Sequence, residues 1–204
     1  MQSDLLTSDA TVIADWRDLL AIEDADVVAA NCRAFLQHLR WPNGIQCPRC
    51  DSDRVVPVHS RNQHDCRGCR YRFSITSGTV FHDSNVQLCK WLVAVGLIVE
   101  SEDGFPAHRL AKAIGVTYKT AWSIGHRIRS GLAGHTFERR ADVGGMVADR
   151  RLAGDYHQVS LKYLPGYLAE REWREQNSAN PHAFRDAIRT LLQAPTQSAA
   201  DTKR

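Results

Sequence analysis

Cys47-Pro48-Arg49-Cys50 and Cys66-Arg67-Gly68-Cys69 decide how this chain is read. Each pair has the two-residue gap that lets two thiolates on one tight turn reach a single ion. The fifteen residues between the pairs leave room for a short hairpin that carries the second knuckle back to the first. This spacing predicts a structural zinc held by Cys47, Cys50, Cys66 and Cys69. Such a closed site holds a small fold together and does no chemistry itself. A thioredoxin-like redox pair needs one such motif opening a helix in an α/β unit, and here there are two, each beside arginine and turn residues. A disulfide framework goes with a secretory leader, and Met1-Gln2-Ser3-Asp4 opens no charged-then-apolar segment. His59 and His64 lie between the knuckles as substitute ligands, but four thiolates already fill a tetrahedron. Cys32 and Cys89 sit in apolar helical patterns and are expected as buried small hydrophobes.

Outward from the knuckles, residues 45–76 form the expected ribbon. Arg54 to His59 is a strand candidate interrupted by Pro57, which suits an edge position. Tyr71, Phe73 and Ile75 alternate with Arg70, Arg72 and Ser74, giving one apolar and one basic face. Metal binding supplies much of the folding energy of so small a unit, on the order of 10 kcal/mol in zinc peptides. Before the ribbon, Asp24 to Leu39 reads as a helix with Val27, Val28, Cys32, Phe35, Leu36 and Leu39 near one face, ended by Trp41-Pro42-Asn43-Gly44. After it, Asp83-Ser84-Asn85 is expected to cap a helix carrying Leu88, Trp91, Leu92, Val95 and Ile98.

The chain has 204 residues and a net charge of +3, enough for one ordinary domain or two or three small ones. Its charge is uneven. Asp4, Asp9, Asp15, Asp18, Glu23, Asp24 and Asp26 face Arg17 alone in residues 1–30. Arg109, Lys112, Lys119, Arg127, Arg129, Arg139 and Arg140 face Glu138 alone from Phe105 to Arg140. A local basic block suggests a surface that meets a polyanion. No apolar run reaches the length of a membrane span.

The basic block has internal order. From Ala107 to Ile128 the spacing is that of a helix-turn-helix. Ala111 allows a close crossing, Gly115 suits the left-handed turn, and Leu110, Ile114, Val116, Ala121 and Ile124 fall at interior positions. Thr117 is placed to cap the second helix. Its first exposed positions present Thr117, Tyr118, Lys119, Thr120 and Ser123, which suit base edges in a major groove. Lys112, His126, Arg127 and Arg129 suit phosphates, as do Arg49, Arg67, Arg70 and Arg72 on the ribbon. The sequence does not decide whether Trp122 packs or touches DNA. An ordinary helical hairpin, or a solvated charged face, is the alternative to all of this.

Trp41-Pro42-Asn43-Gly44-Ile45-Gln46-Cys47-Pro48-Arg49-Cys50 and the stretch from Cys69-Arg70-Tyr71-Arg72-Phe73 to Val80-Phe81-His82 resemble the N-terminus of bacterial insertion-sequence transposases with a zinc ribbon. Ile114-Gly115-Val116-Thr117-Tyr118-Lys119-Thr120-Ala121-Trp122 and His126-Arg127-Ile128-Arg129 resemble the helix-turn-helix that follows in those proteins. The likeness runs from about residue 25 to 132. A weaker likeness at Gly154 to Ser160 and Tyr167-Leu168 is to the stretch after the family's last catalytic acid.

The resemblance implies DNA cutting and joining by three acids on an RNase H-like sheet, around two metal ions about 4 Å apart. Between Leu132 and Gly154 there are about twenty residues without strand alternation, too few for such a sheet on strand dimensions. Asp142 alone sits near a family acid, the last by its distance from Gly154, or the first by Asp142-Val143-Gly144-Gly145. Asp149 and Asp155 read as loop carboxylates.

The expectation is therefore a mainly α protein with a small β zinc ribbon, a helix-turn-helix and C-terminal helices. Its segments are a loosely ordered start (1–23), a helix plus ribbon (24–82), the helix-turn-helix unit (83–132), a linker (133–155), a helical segment (156–194) and a disordered tail. In that last helical segment Pro165 is expected to kink the first helix, and Phe184, Ile188, Leu191 and Leu192 to form a stripe on the second. The expected function is transposase-derived, sequence-specific binding of double-stranded DNA without catalysis, as a transcriptional regulator or a transposition inhibitor, in the cytoplasm at the nucleoid. A transposase component whose catalytic core comes from a partner, a protein-interaction adaptor and an inert remnant are the rivals. A homodimer and a related full-length transposase are the candidate protein partners.

Overall fold

A computed structural model describes residues 15–20, 23–133 and 162–194. The expected linker with Asp142, Asp149 and Asp155, the first fourteen residues and the tail from Pro195 lie outside these. Among the described residues the protein is mainly helical, with six α-helices, one three-stranded antiparallel sheet and two short 3₁₀ helices, at Trp16–Leu20 and His59–Arg61.

Helix α2 (Leu88–Val99) organises the fold. Trp91, Leu92, Val93, Ala94, Val95, Ile98 and Val99 are all buried, so it is apolar nearly all round and must be enclosed by neighbours. Helix α1 (Ala25–Arg40) covers it with Cys32, Phe35 and Leu36, and α6 (Ala183–Gln193) with Phe184, Ala187, Ile188, Leu191 and Leu192. Phe35 and Phe184 stack at 5.8 Å. The expected stripe on the last helix thus closes this core, and the C-terminal helices fold back onto it. Asp24 caps α1 as a side chain should, accepting the N–H groups of Asp26 (2.8 Å) and Val27 (3.2 Å). Trp16 lies flat against Gly96, where a Cβ would stand 2.1 Å from the indole, and donates to Glu100 at 3.0 Å. Only glycine permits that approach.

Helices α3 (Ala107–Ile114) and α4 (Tyr118–Ala133) form a tight pair around Leu110, Ile114, Ala121, Ile124 and Ile128. Gly115 ends α3 at φ 61°, and the Val116 N–H returns to the Ala111 carbonyl at 3.1 Å. That is a Schellman turn, and its left-handed residue is the glycine the spacing predicted. Thr117 accepts the Thr120 N–H at 3.2 Å, so it caps α4 as expected. Lys90 of α2 donates to the Gly115 carbonyl at 3.1 Å and pins the turn to the core.

The ribbon is an excursion between α1 and α2. Strands β1 (Val55–Val58), β2 (Gln63–Cys66) and β3 (Arg72–Ser74) are ordered β1-β2-β3, with Pro57 on the β1 edge. Cys47, Cys66 and Phe73 form a separate small core, joined by Trp41, which also packs on the main one. The Arg40 guanidinium donates to the Ile75 and Ser77 carbonyls and lies 4.7 Å from the Trp41 ring centre. The chain is therefore tied to α1 as it leaves the ribbon.

Three expectations are corrected. The Asp83-Ser84-Asn85 run does not cap α2, which starts at Leu88 without a side-chain cap; Ser84 Oγ instead accepts from Trp91 Nε1 at 3.0 Å. Pro165 does not kink a helix, because α5 (Leu164–Gln176) begins one residue before it, where no intrahelical N–H bond is lost. Arg129 is not on a phosphate-facing surface. It is 2% exposed and pairs with the fully buried Glu170 of α5 at 2.5 Å.

That pair sets an expected cost. Glu170→Gln leaves the Arg129 charge buried without its counter-charge and should lower stability by about 3 kcal/mol. Replacing both residues together (R129M with E170L) should recover most of it. Urea unfolding of the three proteins measures both, and a double variant no better than the single one would contradict a packing role.

Candidate metal centre and nucleic-acid face

The two knuckles share one local geometry. In the first, Asp51 N–H bonds to the Cys47 carbonyl (2.9 Å) and Cys47 N–H to the Ser52 carbonyl (3.0 Å), with Asp51 at φ 55°. In the second, Arg70 N–H bonds to the Cys66 carbonyl (2.9 Å) and Cys66 N–H to the Tyr71 carbonyl (2.9 Å), with Arg70 at φ 60°. Each turn aims two thiols at one point. The Sγ atoms of Cys47 and Cys69 are 3.6 Å apart, as are those of Cys50 and Cys66, and all four lie within 4.8 Å of one another. Thiolates about 2.3 Å from a tetrahedral zinc stand about 3.8 Å apart, so the cluster has the size of a Cys₄ zinc site.

The chemistry of the donors agrees. The Cys69 and Gly68 N–H groups point at Cys66 Sγ (3.5 and 3.3 Å) and hold its pKa down at about 6, against the cost of burial. Burial pushes the Cys47 thiol up. At Cys50 the Ser52 N–H favours the thiolate but is outweighed by the sulfurs of Cys69, Cys66 and Cys47 and by burial, and the pKa rises to about 12. Sulfurs this close cannot all ionise unaided; a central dication removes that conflict. The four cysteines are positioned to bind one metal ion, consistent with one structural zinc. His64 stacks on Phe73 at 5.4 Å and is not part of the cluster.

The basic candidates divide into exposed and structural groups. Lys112, Thr117, Tyr118, Lys119 and Ser123 are exposed around the α3–α4 turn and the first turns of α4, and Tyr118 is 61% exposed. Thr120 is half-buried, its hydroxyl 2.9 Å from that of Thr117. Arg127 is half-buried, donates to the His82 carbonyl and sits 5.1 Å from the Trp91 ring centre. Arg129 is the buried pair described above. His126 packs 4.0 Å from Trp122 and 4.4 Å from Tyr163; burial, then the Arg129 charge, lowers its pKa to about 4, so at neutral pH it offers a phosphate no charge. Trp122 packs, edge-on to Tyr163 at 5.3 Å.

On the ribbon Arg49, Arg67, Arg70 and Arg72 are all exposed. Arg72 is neutralised locally by two bonds to Asp65, at 2.7 and 3.0 Å. Arg49 lies 5.7 Å from the Tyr71 ring centre. Two residues escaped the sequence reading. Lys90 holds the α3–α4 turn, and its signal was a lone cation in an otherwise apolar helix. Lys162, exposed, lies 5.4 Å from the ring centre of Tyr163, the ring that packs on Trp122 of α4, and no local pattern announces it.

Cys69→Ser should abolish the bound zinc and melt the ribbon, removing metal-binding free energy on the order of 10 kcal/mol. Metal-bound thiolates have depressed pKa values, so this stabilisation is complete above the free-thiol pKa of about 8.5 and is lost as pH falls. Zinc content by elemental analysis and a chelator titration at several pH values check both. An unchanged zinc content and melting curve in the serine variant would refute the Cys₄ site.

Comparison with known proteins agrees with this geometry. Residues 30–72 match the family model of the transposase zinc-ribbon domain. The chain is also 33% identical over 91 residues to an uncharacterized protein in transposable element ISH50 of Halobacterium salinarum, covering 43% of this chain. The matched part spans about 30% of that relative's length. No solved structure matches. No helix among the described residues is long and apolar enough to cross a membrane. The ribbon of this chain is similar to that of transposases, and the likeness extends to a protein from a transposable element.

Proposed function

We propose that this chain is a transposase-derived, zinc-stabilised protein that binds double-stranded DNA sequence-specifically and does not cut it. The observation that carries this is the exposed start of α4. Thr117, Tyr118, Lys119 and Ser123 face solvent there with Lys112 of α3 beside them, while the same helix is anchored by Ala121, Ile124 and Ile128 in the core. A large aromatic exposed among hydroxyls and lysines, at the front of a rigid helix, suits contact with base edges. The two helices and their glycine turn then act as a helix-turn-helix, with α4 in the major groove. Arg49, Arg67 and Arg70 form no ion pair among the described residues, and they lie along phosphates in this account.

Such a protein acts as a transcriptional regulator, or inhibits transposition by occupying the end sequences of a related full-length transposase. A homodimer places two such helices on paired half-sites. The relative from a transposable element favours one second reading, a component of the transposition machinery whose catalytic core comes from a partner.

Fluorescence anisotropy with a labelled duplex tests the proposal. Wild-type affinity should fall by about 10³-fold or more between 50 and 200 mM salt if six or more phosphates are contacted. Lys112→Ala should flatten the salt slope by about 1 for every sequence, and Lys119→Ala should alter the ranking of sequences. Salt-independent affinity would favour a protein-interaction adaptor. Nicking or joining with Mg²⁺ or Mn²⁺ that is lost in Asp142→Asn would establish the enzyme reading instead.

A further inference from the structure

The segment by which the chain leaves the ribbon, residues 75–84, contains no helix or strand, yet it is held like a core element. Ser77, Thr79, Val80 and Phe81 are all buried. Ser77 Oγ accepts the N–H of Ser74, the last residue of β3, at 2.8 Å. Thr79 Oγ1 donates to the Thr76 carbonyl at 2.7 Å and accepts the Phe81 N–H at 3.2 Å. Each buried hydroxyl thus has a partner, which is the condition for a polar segment to lie inside a fold.

Three helices grip this segment from outside. Arg40, at the end of α1, donates to the Ile75 and Ser77 carbonyls. The Leu191 carbonyl of α6 accepts the Val80 N–H at 3.4 Å. On α4, Gly131 makes room for Val80, whose side chain would stand 2.7 Å from a Cβ there. One turn earlier on α4 the Arg127 guanidinium donates to the His82 carbonyl. It also lies 5.1 Å from the ring centre of Trp91 on α2, the indole that Phe81 meets edge-on at 5.6 Å. Arg127 therefore joins α4, the central helix and the ribbon's exit at one point.

We propose that Arg127 is a positioning residue for DNA binding: through residues 75–84 it holds the ribbon in one orientation to α4, so that Arg49, Arg67 and Arg70 reach phosphates of the duplex that α4 reads. This rests on the DNA-binding reading above. A ribbon on a loose tether would lose orientational freedom each time it met the duplex, and a preset one does not. The Arg127 guanidinium is spent on a carbonyl and an indole, so its removal acts on DNA through what it holds. A direct phosphate contact, the role expected from the sequence, behaves differently.

The test is anisotropy of a labelled duplex with the zinc-loaded full chain, titrated over a range of salt. Arg127→Met keeps a side chain over Trp91 but cannot donate to His82. It should lower the salt slope by more than the value of about 1 that one lost phosphate contact gives, and by up to about 3 if all three ribbon arginines disengage. Arg127→Lys, which can still donate, should keep the wild-type slope. In an R49A/R67A/R70A background Arg127→Met should change nothing further. A drop of about 1 in both backgrounds would make Arg127 a phosphate contact. No drop in either would mean that the ribbon is held without it. Each of these results overturns the proposal. Amide ¹⁵N relaxation of the DNA-free wild type needs no variant: the ribbon and α4 should share one rotational correlation time, and a distinctly shorter time for the ribbon would also overturn it. Wild-type affinity independent of salt would overturn the DNA-binding reading and this proposal with it, whereas the other results remove the proposal alone.

Discussion

Enclosure of α2 is the constraint on which the structure depends. A helix that is apolar on nearly every side has no stable place in water, so it recruits α1, α3, α4 and α6 and the indole of Trp16. Burying Trp91, Leu92, Val95 and Ile98 contributes about 1.5–3 kcal/mol each relative to exposure. Everything with a chemical role is fixed by reference to this helix. Its Lys90 holds the Gly115 turn, so the exposed start of α4 is presented by a rigid support. Its start and the end of α1 are the two points from which the ribbon extends.

The ribbon obeys a different constraint. Its own core amounts to Cys47, Cys66 and Phe73 with a few half-buried neighbours, too little to hold three short strands. Four sulfurs brought within 4.8 Å raise the demand for a dication, and the dication supplies the stability that the core lacks. The arginines show the same division of labour. Arg40, Arg127 and Arg129 have their guanidiniums bound to carbonyls or to Glu170 and serve the fold. Arg49, Arg67 and Arg70 remain in solvent on the ribbon, free to meet a polyanion.

Much of this was legible in the sequence because the deciding signals are local. The cysteine spacing, the glycine that ends α3, the threonine that starts α4 and the apolar stripe on α6 each act over a few residues, and the structure keeps them. The misreadings at Arg129 and His126 depend on contacts far apart in the chain. Arg129 and His126 belong to the same basic stretch as Lys119, but α5 packs over them, so one becomes half of a buried ion pair and the other a neutral ring. Ser84 looked like a helix cap, but its oxygen instead accepts from the indole N–H of Trp91, which the core places. Tyr163, with Lys162 over its ring, meets Trp122 of α4 only because α5 folds back.

The central claim is that the front of α4 reads base sequence in duplex DNA. Selection from a library of random duplexes, with the zinc-loaded chain at physiological salt, tests it most directly. The account predicts one enriched sequence whose contacted bases shift when Lys119 is changed to alanine. A pool that stays random through successive rounds, or an enriched sequence unaffected by that change, would contradict it.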